Sequence, residues 1–286
     1  MLYTMKELLD RACAEMYAIA APNVGNSLEV DAAIKAAEEM NAPIILDVHL
    51  DRPEDRMPCA REFGMWMRMR AEKAKVPVAI NEDHGASYFT AVKNIQYGCT
   101  SVMADRSALP YEQNVAETKK ICELAHAAGC SCEAELGHVG DAGTMTNGAE
   151  EGAGGDNIYT KPEEAVKFIE ETGVDCLAVS VGTAHGAWPK GVIPQLDFER
   201  FAKIKEAVGQ FPLVLHGSSQ TPNDQLYKIC RMGINKVNIA TDLNDAAMAN
   251  VLASEGKGNA FKLAQEGFCN KLKEQIPVYG SDGKAW

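Results

Sequence analysis

A closed (β/α)8 barrel, a TIM barrel with an extra C-terminal helix, is the fold class that the sequence predicts, and three observations lead there. Short apolar runs alternate with helical patterns along the chain of 286 residues, giving eight βα units. The first strand is followed by APNVGN at Ala21, which lacks the G-x-G-x-x-G spacing that announces a doubly wound open sheet. No linker, low-complexity block or composition shift interrupts the alternation, so residues 1–286 read as a single barrel domain.

Strands are expected near Tyr17–Ala21, Pro43–Val48, Pro77–Asn81, Ser101–Ala104, Ser131–Glu135, Cys176–Val181, Leu213–Leu215 and Lys236–Ile239. Between them fall helices at Ser27–Met40, Arg61–Lys75, Ala86–Gln96, Tyr111–Ala128, Pro162–Thr172, Asp197–Val208 and Asn223–Arg231. TKPEEAVKF places Thr160 near an N-cap, Pro162 in the first turn and two acids at the positive end of the helix. TPNDQL at Thr221 repeats the form, while Gly129, Gly173 and Gly233 follow helices as left-handed caps do. The stretch from Thr241 to Lys273 is longer than one barrel helix needs, and its end is the expected extra helix. Gly137–Tyr159, rich in Gly, Asp, Asn and Thr, is the one long irregular segment, a length that marks a lid or binding loop.

Forty acidic against 28 basic residues leave a net charge of −12, which removes any general attraction for nucleic acid or an anionic membrane. A hydrophobic share of 46% excludes a disordered chain. No apolar run is long enough to span a bilayer, and MLYTMKELLDRA reads as an amphipathic polar segment rather than a signal peptide, so a cytoplasmic protein is expected. The 9 cysteines show no thiolate-zinc spacing and read as reduced thiols.

Active sites of such barrels lie at the C-terminal ends of the strands. His84 follows AINED at the end of strand three, His185 follows strand six in VGTAHG, and His216 ends strand seven in LVLHG. Each alone is compatible with a hydrogen bond inside a loop. Three on one rim form a set with an open fourth position, the arrangement of a catalytic metal. Asp83 precedes His84; neighbours on a strand point apart, but a turn at the strand end brings both to the rim. It then either shuttles a proton or orients a ligand imidazole. Glu133 and Glu135 share a strand face, as do Asp47 and His49, and inward carboxylates need a partner or a metal. Glu135 lies nearer the rim. After strands seven and eight, HGSS and NIATD offer Gly217, Ser219 and Thr241 in small polar turns suited to a phosphate. His49 ends strand two and is placed to face substrate, His138 opens the long loop, and His126 reads as a solvated helix residue.

Six strings carry a family resemblance in order along nearly the whole chain. They are EDH at Glu82–His84, SVMADRSALPYEQNV at Ser101–Val115, EAELG at Glu133–Gly137, LAVSVGTAHG at Leu177–Gly186, LVLHGSS at Leu213–Ser219 and KVNIATDL at Lys236–Leu243. Together they resemble the class II, zinc-dependent ketose-bisphosphate aldolases, most closely the tagatose- and fructose-bisphosphate branch. The resemblance implies that His84, His185 and His216 hold Zn2+ and that Asp83 is the acid/base at the hydroxyl beside the cleaved bond. It gives Glu135 to the ion when it shifts. It assigns Gly186, Gly217, Ser219, Asn238 and Thr241 to the phosphate of dihydroxyacetone phosphate, and Asn23 to the substrate. A monovalent cation, Na+ or K+, near that phosphate is implied too, as are a phosphorylated ketose substrate and a homodimer or homotetramer. Zinc would chelate the ketone and hydroxyl of the three-carbon unit and stabilise the enediolate formed on cleavage.

Three departures from the family pattern bear on specificity. DVHLDRPEDR stands after strand two where the family offers small residues and a serine, making His49, Arg52 and Arg56 candidate readers of the aldehyde half. HVGDAGTM replaces a Gly-Gly run followed by acids, leaving Asp141, or the more distant Glu150 and Glu151, as the proton carrier. Arg231 is the last arginine, whereas the family often places one in the C-terminal region for a second phosphate. The expected substrate is therefore a ketose 1-phosphate or bisphosphate whose aldehyde half is not simply glyceraldehyde 3-phosphate. The rivals are a Schiff-base barrel lyase using Lys236 and a catalytically silent barrel that partners an aldolase.

Overall fold

A computed structural model describes residues 1–50, 59–140, 142, 145–146, 149–150 and 158–286. The helix α1 (Met5–Glu15) precedes β1 (Ile19–Pro22), α2 (Ser27–Met40), β2 (Ile44–Val48), α3 (Ala60–Lys73), β3 (Val78–Gly85) and α4 (Tyr88–Gln96). Next come β4 (Ser101–Ala104), α5 (Tyr111–Ala127), β5 (Ser131–Leu136) and a small antiparallel hairpin of β6 (Met145–Thr146) and β7 (Ala149–Glu150). The chain ends with α6 (Pro162–Thr172), β8 (Cys176–Val179), α7 (Phe198–Val208), β9 (Leu213–Leu215), α8 (Asn223–Met232), β10 (Ile234–Ile239), α9 (Thr241–Ala253) and α10 (Ala260–Tyr279).

The 8-stranded sheet runs β1-β10-β9-β8-β5-β4-β3-β2, every pairing parallel. A single parallel bridge, Asn23 to Asp47, closes it between β1 and β2, with Val24 N–H donating to Asp47 O at 2.9 Å. The expected barrel is present. Its strands are buried on both faces, as parallel strands covered by helices are. Ile44, Leu46 and Val48 of β2 join the layer beneath the helices, whereas Ile45 points into the barrel with Ile19, Ala21, Ala79, Met103 and Val214.

The N-terminal segment, read only as amphipathic, is the plug of the barrel's closed end. Met5, Leu8, Leu9 and Ala12 recur at helical spacing and pack on that interior cluster. Thr4 and Glu7 form a reciprocal capping box, which sets the start of α1. With α1 packed into this end, the cavity lies at the opposite rim. The extra helix also forms: the region after β10 breaks at 254–259, and α10 packs on α9, α8, α2 and β1. All 9 cysteines are free thiols, most of them buried and Cys59 exposed. Among the described residues no helix is long and apolar enough to cross a membrane.

Candidate active site

Strand β3 runs further than the sequence indicates, to Gly85, and its end is irregular. Glu82 pairs with Val102 and Gly85 with Ala104, so three steps along β3 match two along β4. This is a β-bulge, a device that re-aims side chains at functional rims. His84 sits in the left-handed region at φ 54°, and its N–H donates to Met103 Sδ at 3.3 Å. The alternation of the pleat is broken there, so Asp83 and His84 both line the same cavity. Gly85 permits the bulge: an added Cβ would meet Met103 O at 2.4 Å.

His185 is held differently. Its N–H donates to Gly140 O and its own carbonyl accepts from Ala142 N–H, both at 2.8 Å, so the loop after β5 fixes the loop after β8. His216 directly follows β9 and is fully buried. The three rings converge, with centroids 4.7 Å apart for His84 and His185, 4.8 Å for His84 and His216, and 5.8 Å for His185 and His216. One nitrogen from each lies within 4.8 Å of the others, a spacing that fits a shared metal ion.

Carboxylates set the outer nitrogens. Asp105 Oδ2 lies 2.6 Å from His84 Nδ1, and Glu133 Oε1 lies 2.8 Å from His216 Nε2. An ionised carboxylate only accepts, so those nitrogens carry the protons and His84 Nε2 and His216 Nδ1, 3.2 Å apart, face the centre. Burial works against charge on His84, yet Asp83 and Asp105 prevail and raise it to about 10. His185 is pushed down to about 3 by burial and by the two neighbouring rings, which favours the neutral imidazole.

Asp83 is 2% exposed, and its oxygens are clamped from two strands. Asn23 Nδ2 donates to Oδ2 at 2.6 Å and Asn238 Nδ2 to Oδ1 at 3.1 Å, while His49 Nε2 stands 3.4 Å from Oδ2. Burial opposes its ionisation, but His84, His49 and His216 hold it well below the usual carboxylate range. Glu135 is moved the other way, upward, by burial and by Asp105. Its Oε1 accepts from Val139 N–H at 3.0 Å, and its Oε2 is buried with no hydrogen-bond partner. Glu135 therefore lies beneath the cavity rather than on its wall, and with His84 and Asp105 it forms a second group of metal-ligand spacing.

The cavity, about 360 Å³, is lined by Gly186, Gly217, Ser219, Asn238 and Thr241, and also by Asn23, Glu29, His49 and Asp83. Helix α9 begins at Thr241 behind Ala240, an N-cap residue that makes no side-chain hydrogen bond, so its first turn faces the cavity uncapped. Gly217, at φ 61°, lies where a Cβ would come 2.5 Å from the backbone of Ala184. No lysine or arginine lines the cavity among the described residues.

Arg52, Arg56, Asp141 and Glu151 lie outside the described residues, as does the side chain of Glu150. His138 is away from the cavity wall, with Nδ1 3.3 Å from Ser107 Oγ. His126 is only half solvated: its Nε2 lies 2.8 Å from Asp175 Oδ2. Three participants escaped the sequence reading. Asp105 stands inside one of the resembling strings at the end of β4, a rim position that is the only signal it gives. Glu133 was visible as an inward carboxylate without an assigned partner. Asp47 was read as an inward carboxylate on the same face as His49, and its partners are Lys236 Nζ, 3.1 Å away, and Asn81 Nδ2, at 2.9 Å.

The fructose-bisphosphate aldolase class-II family profile matches residues 3–284. A fructose-bisphosphate aldolase of Thermus caldophilus is 37% identical over 314 aligned positions, covering 100% of both chains. A probable fructose-bisphosphate aldolase of Bacillus subtilis (strain 168) is 39% identical, covering 84% of this chain and 82% of that one. Among solved structures, the YdjI aldolase of Escherichia coli K12 superposes with a TM-score of 0.85 at 32% identity over 100% of both chains. A barrel with its rim chemistry assembled in this way, and matched over its whole length, belongs to the class-II fructose-bisphosphate aldolase family, whose members are carbon–carbon lyases.

Proposed function

We propose that the protein is a zinc-dependent aldolase that reversibly cleaves a ketose 1-phosphate or ketose bisphosphate to dihydroxyacetone phosphate and an aldehyde. The observation that carries this reading is the meeting of three imidazoles at one cavity whose wall also carries Asp83 and the small polar turns of Gly217, Ser219 and Thr241. The donor set fits zinc: two ligand rings are oriented by carboxylates, and the buried His185 Nε2 has no hydrogen-bond partner. Bound by His84, His185 and His216, the ion supplies a Lewis acid for the ketose oxygens.

The remaining chemistry belongs to the chain. Asp83, anionic and clamped by Asn23 and Asn238, accepts the proton of the hydroxyl beside the breaking bond. That carbon becomes the aldehyde carbonyl, and the bond's electron pair stays on the three-carbon fragment. A protein acid then protonates this fragment to dihydroxyacetone phosphate, and Asp141 is assigned the task, with Glu135 in reserve for the ion. Gly186, Gly217, Ser219, Asn238 and Thr241 hold the phosphate through backbone N–H groups and short polar side chains, with Na+ or K+ alongside. His49 and Arg52 read the aldehyde half. The whole chain acts as one barrel domain, in the cytoplasm, as a homodimer or homotetramer.

Lys236 is a poor Schiff-base candidate. Burial opposes its charge, but Asp47 and Glu133 hold the ammonium above its usual pKa, and the nucleophile must be the free amine. Chelator should abolish cleavage and zinc restore it, while borohydride with substrate should leave the enzyme active. Activity that survives chelation, or trapping at Lys236, would overturn the zinc reading. Substoichiometric zinc after supplemented purification, unchanged in His84→Ala, would point to a silent partner subunit.

A further inference from the structure

Below the cavity the barrel interior carries a charged layer. Lys236 on β10, Asp47 on β2, Asn81 on β3 and Glu133 on β5 are all 0% exposed. Lys236 Nζ donates to Glu133 Oε2 at 2.8 Å and lies 3.1 Å from Asp47 Oδ2. Asn81 Nδ2 donates to Asp47 Oδ1 at 2.9 Å and to Glu133 Oε2 at 3.3 Å. None of the four lines the cavity. Each sits two residues before a residue of the site in the chain: His49, Asp83, Glu135 and Asn238. Because inward positions recur every second residue, the layer is a floor directly under the chemistry.

Charges so deep require partners. With Oε2 held by Lys236 and Asn81, Glu133 has one oxygen left, Oε1, and it meets His216 Nε2. We propose that Lys236 and Asp47 are positioning residues: they fix the Glu133 carboxylate as an acceptor and thereby lock His216 in the tautomer that turns Nδ1 to the metal centre. The inference rests on the zinc reading. It gives the buried lysine a role that requires no contact with substrate.

The test is zinc affinity of the full-length protein, measured by competition with a chromophoric chelator. Lys236→Met combined with Asp47→Asn removes one positive and one negative charge, so the net buried charge is unchanged. This variant should retain the wild-type circular dichroism and melting profile yet bind zinc about 10–100-fold more weakly. Long-range 1H–15N spectra should show the His216 Nε2–H tautomer losing population. Glu133→Gln, which preserves shape, should also weaken zinc, and it serves if the double variant does not fold. A folded variant binding zinc within about twofold of wild type, with His216 in its original tautomer, overturns the proposal. Wild-type protein that binds no zinc would instead sink the zinc reading itself.

Discussion

On the imidazole side of the cavity, three of the four groups are side chains held by side chains from elsewhere in the barrel, Asp105 on His84, Glu133 on His216, and Asn23 and Asn238 on Asp83, while His185 is held through its backbone. Along the rest of the wall, after β8, β9 and β10, the material is mostly backbone: Gly186, Gly217, the uncapped start of α9, and the short side chains of Ser219 and Thr241. The first side concentrates buried charge and depends on residue chemistry. The second is uncharged and depends on where the chain runs. Damage to the first should therefore appear in turnover or metal content, and damage to the second in substrate affinity.

Asp83→Ala should break the contrast most severely. It removes the carboxylate clamped by Asn23 and Asn238 beside the imidazoles, and kcat should fall by about 10²–10⁴, the usual worth of a positioned acid/base. Zinc content should stay at the wild-type level, because Asp83 is outside the group of three histidines with metal-ligand spacing. Steady-state cleavage beside metal analysis decides it, and near-wild-type turnover removes Asp83 from the mechanism.

Gly217→Ala attacks the other wall without touching a charge. At φ 61°, with Ala184 backbone atoms 2.5 Å from the new Cβ, the turn must move. A displacement of about 1 Å in a positioning element can cost about 10²-fold, and here it should raise KM while zinc content holds. A variant with wild-type KM would show that the turn does not hold the phosphate. Ser219→Ala is gentler. Loss of one hydrogen bond to a charged oxygen, about 1.5 kcal/mol, should raise KM about 10-fold with kcat preserved.

The two sides also differ in how legible they were. His84, His185 and His216 were found because strand ends can be read from apolar runs, and a rare residue type at three of them stands out. The small polar turns after β9 and β10 were visible for the same reason. What stayed hidden was pairwise contact. Nothing local to Asp105 says that a bulge will turn His84 toward it; that follows from the register shift between β3 and β4. Lys236 invited a nucleophilic reading because its partners, Asp47 and Glu133, come from strands far away in the chain. Thr4 and Glu7, by contrast, spell a capping box in four residues, a signal for α1 that is wholly local and needs no partner strand.

His49 sits where the two sides meet, and its expected effect is the smallest. Its ring lies 6.1 Å from that of His84 in a near-parallel stack, and its Nε2 is 3.4 Å from Asp83. It lines the cavity beside Asp83, where the proposed reading puts the aldehyde half. His49→Gln keeps a donor but shortens its reach. In condensations of dihydroxyacetone phosphate with a panel of aldehydes, relative kcat/KM values should reorder by about 5-fold, near 1 kcal/mol, the worth of one hydrogen bond. The KM for dihydroxyacetone phosphate should not move, since the cradle is on the other wall. A uniform loss across all aldehydes would instead assign His49 to Asp83 alone, as a support for the base and not a reader of the substrate.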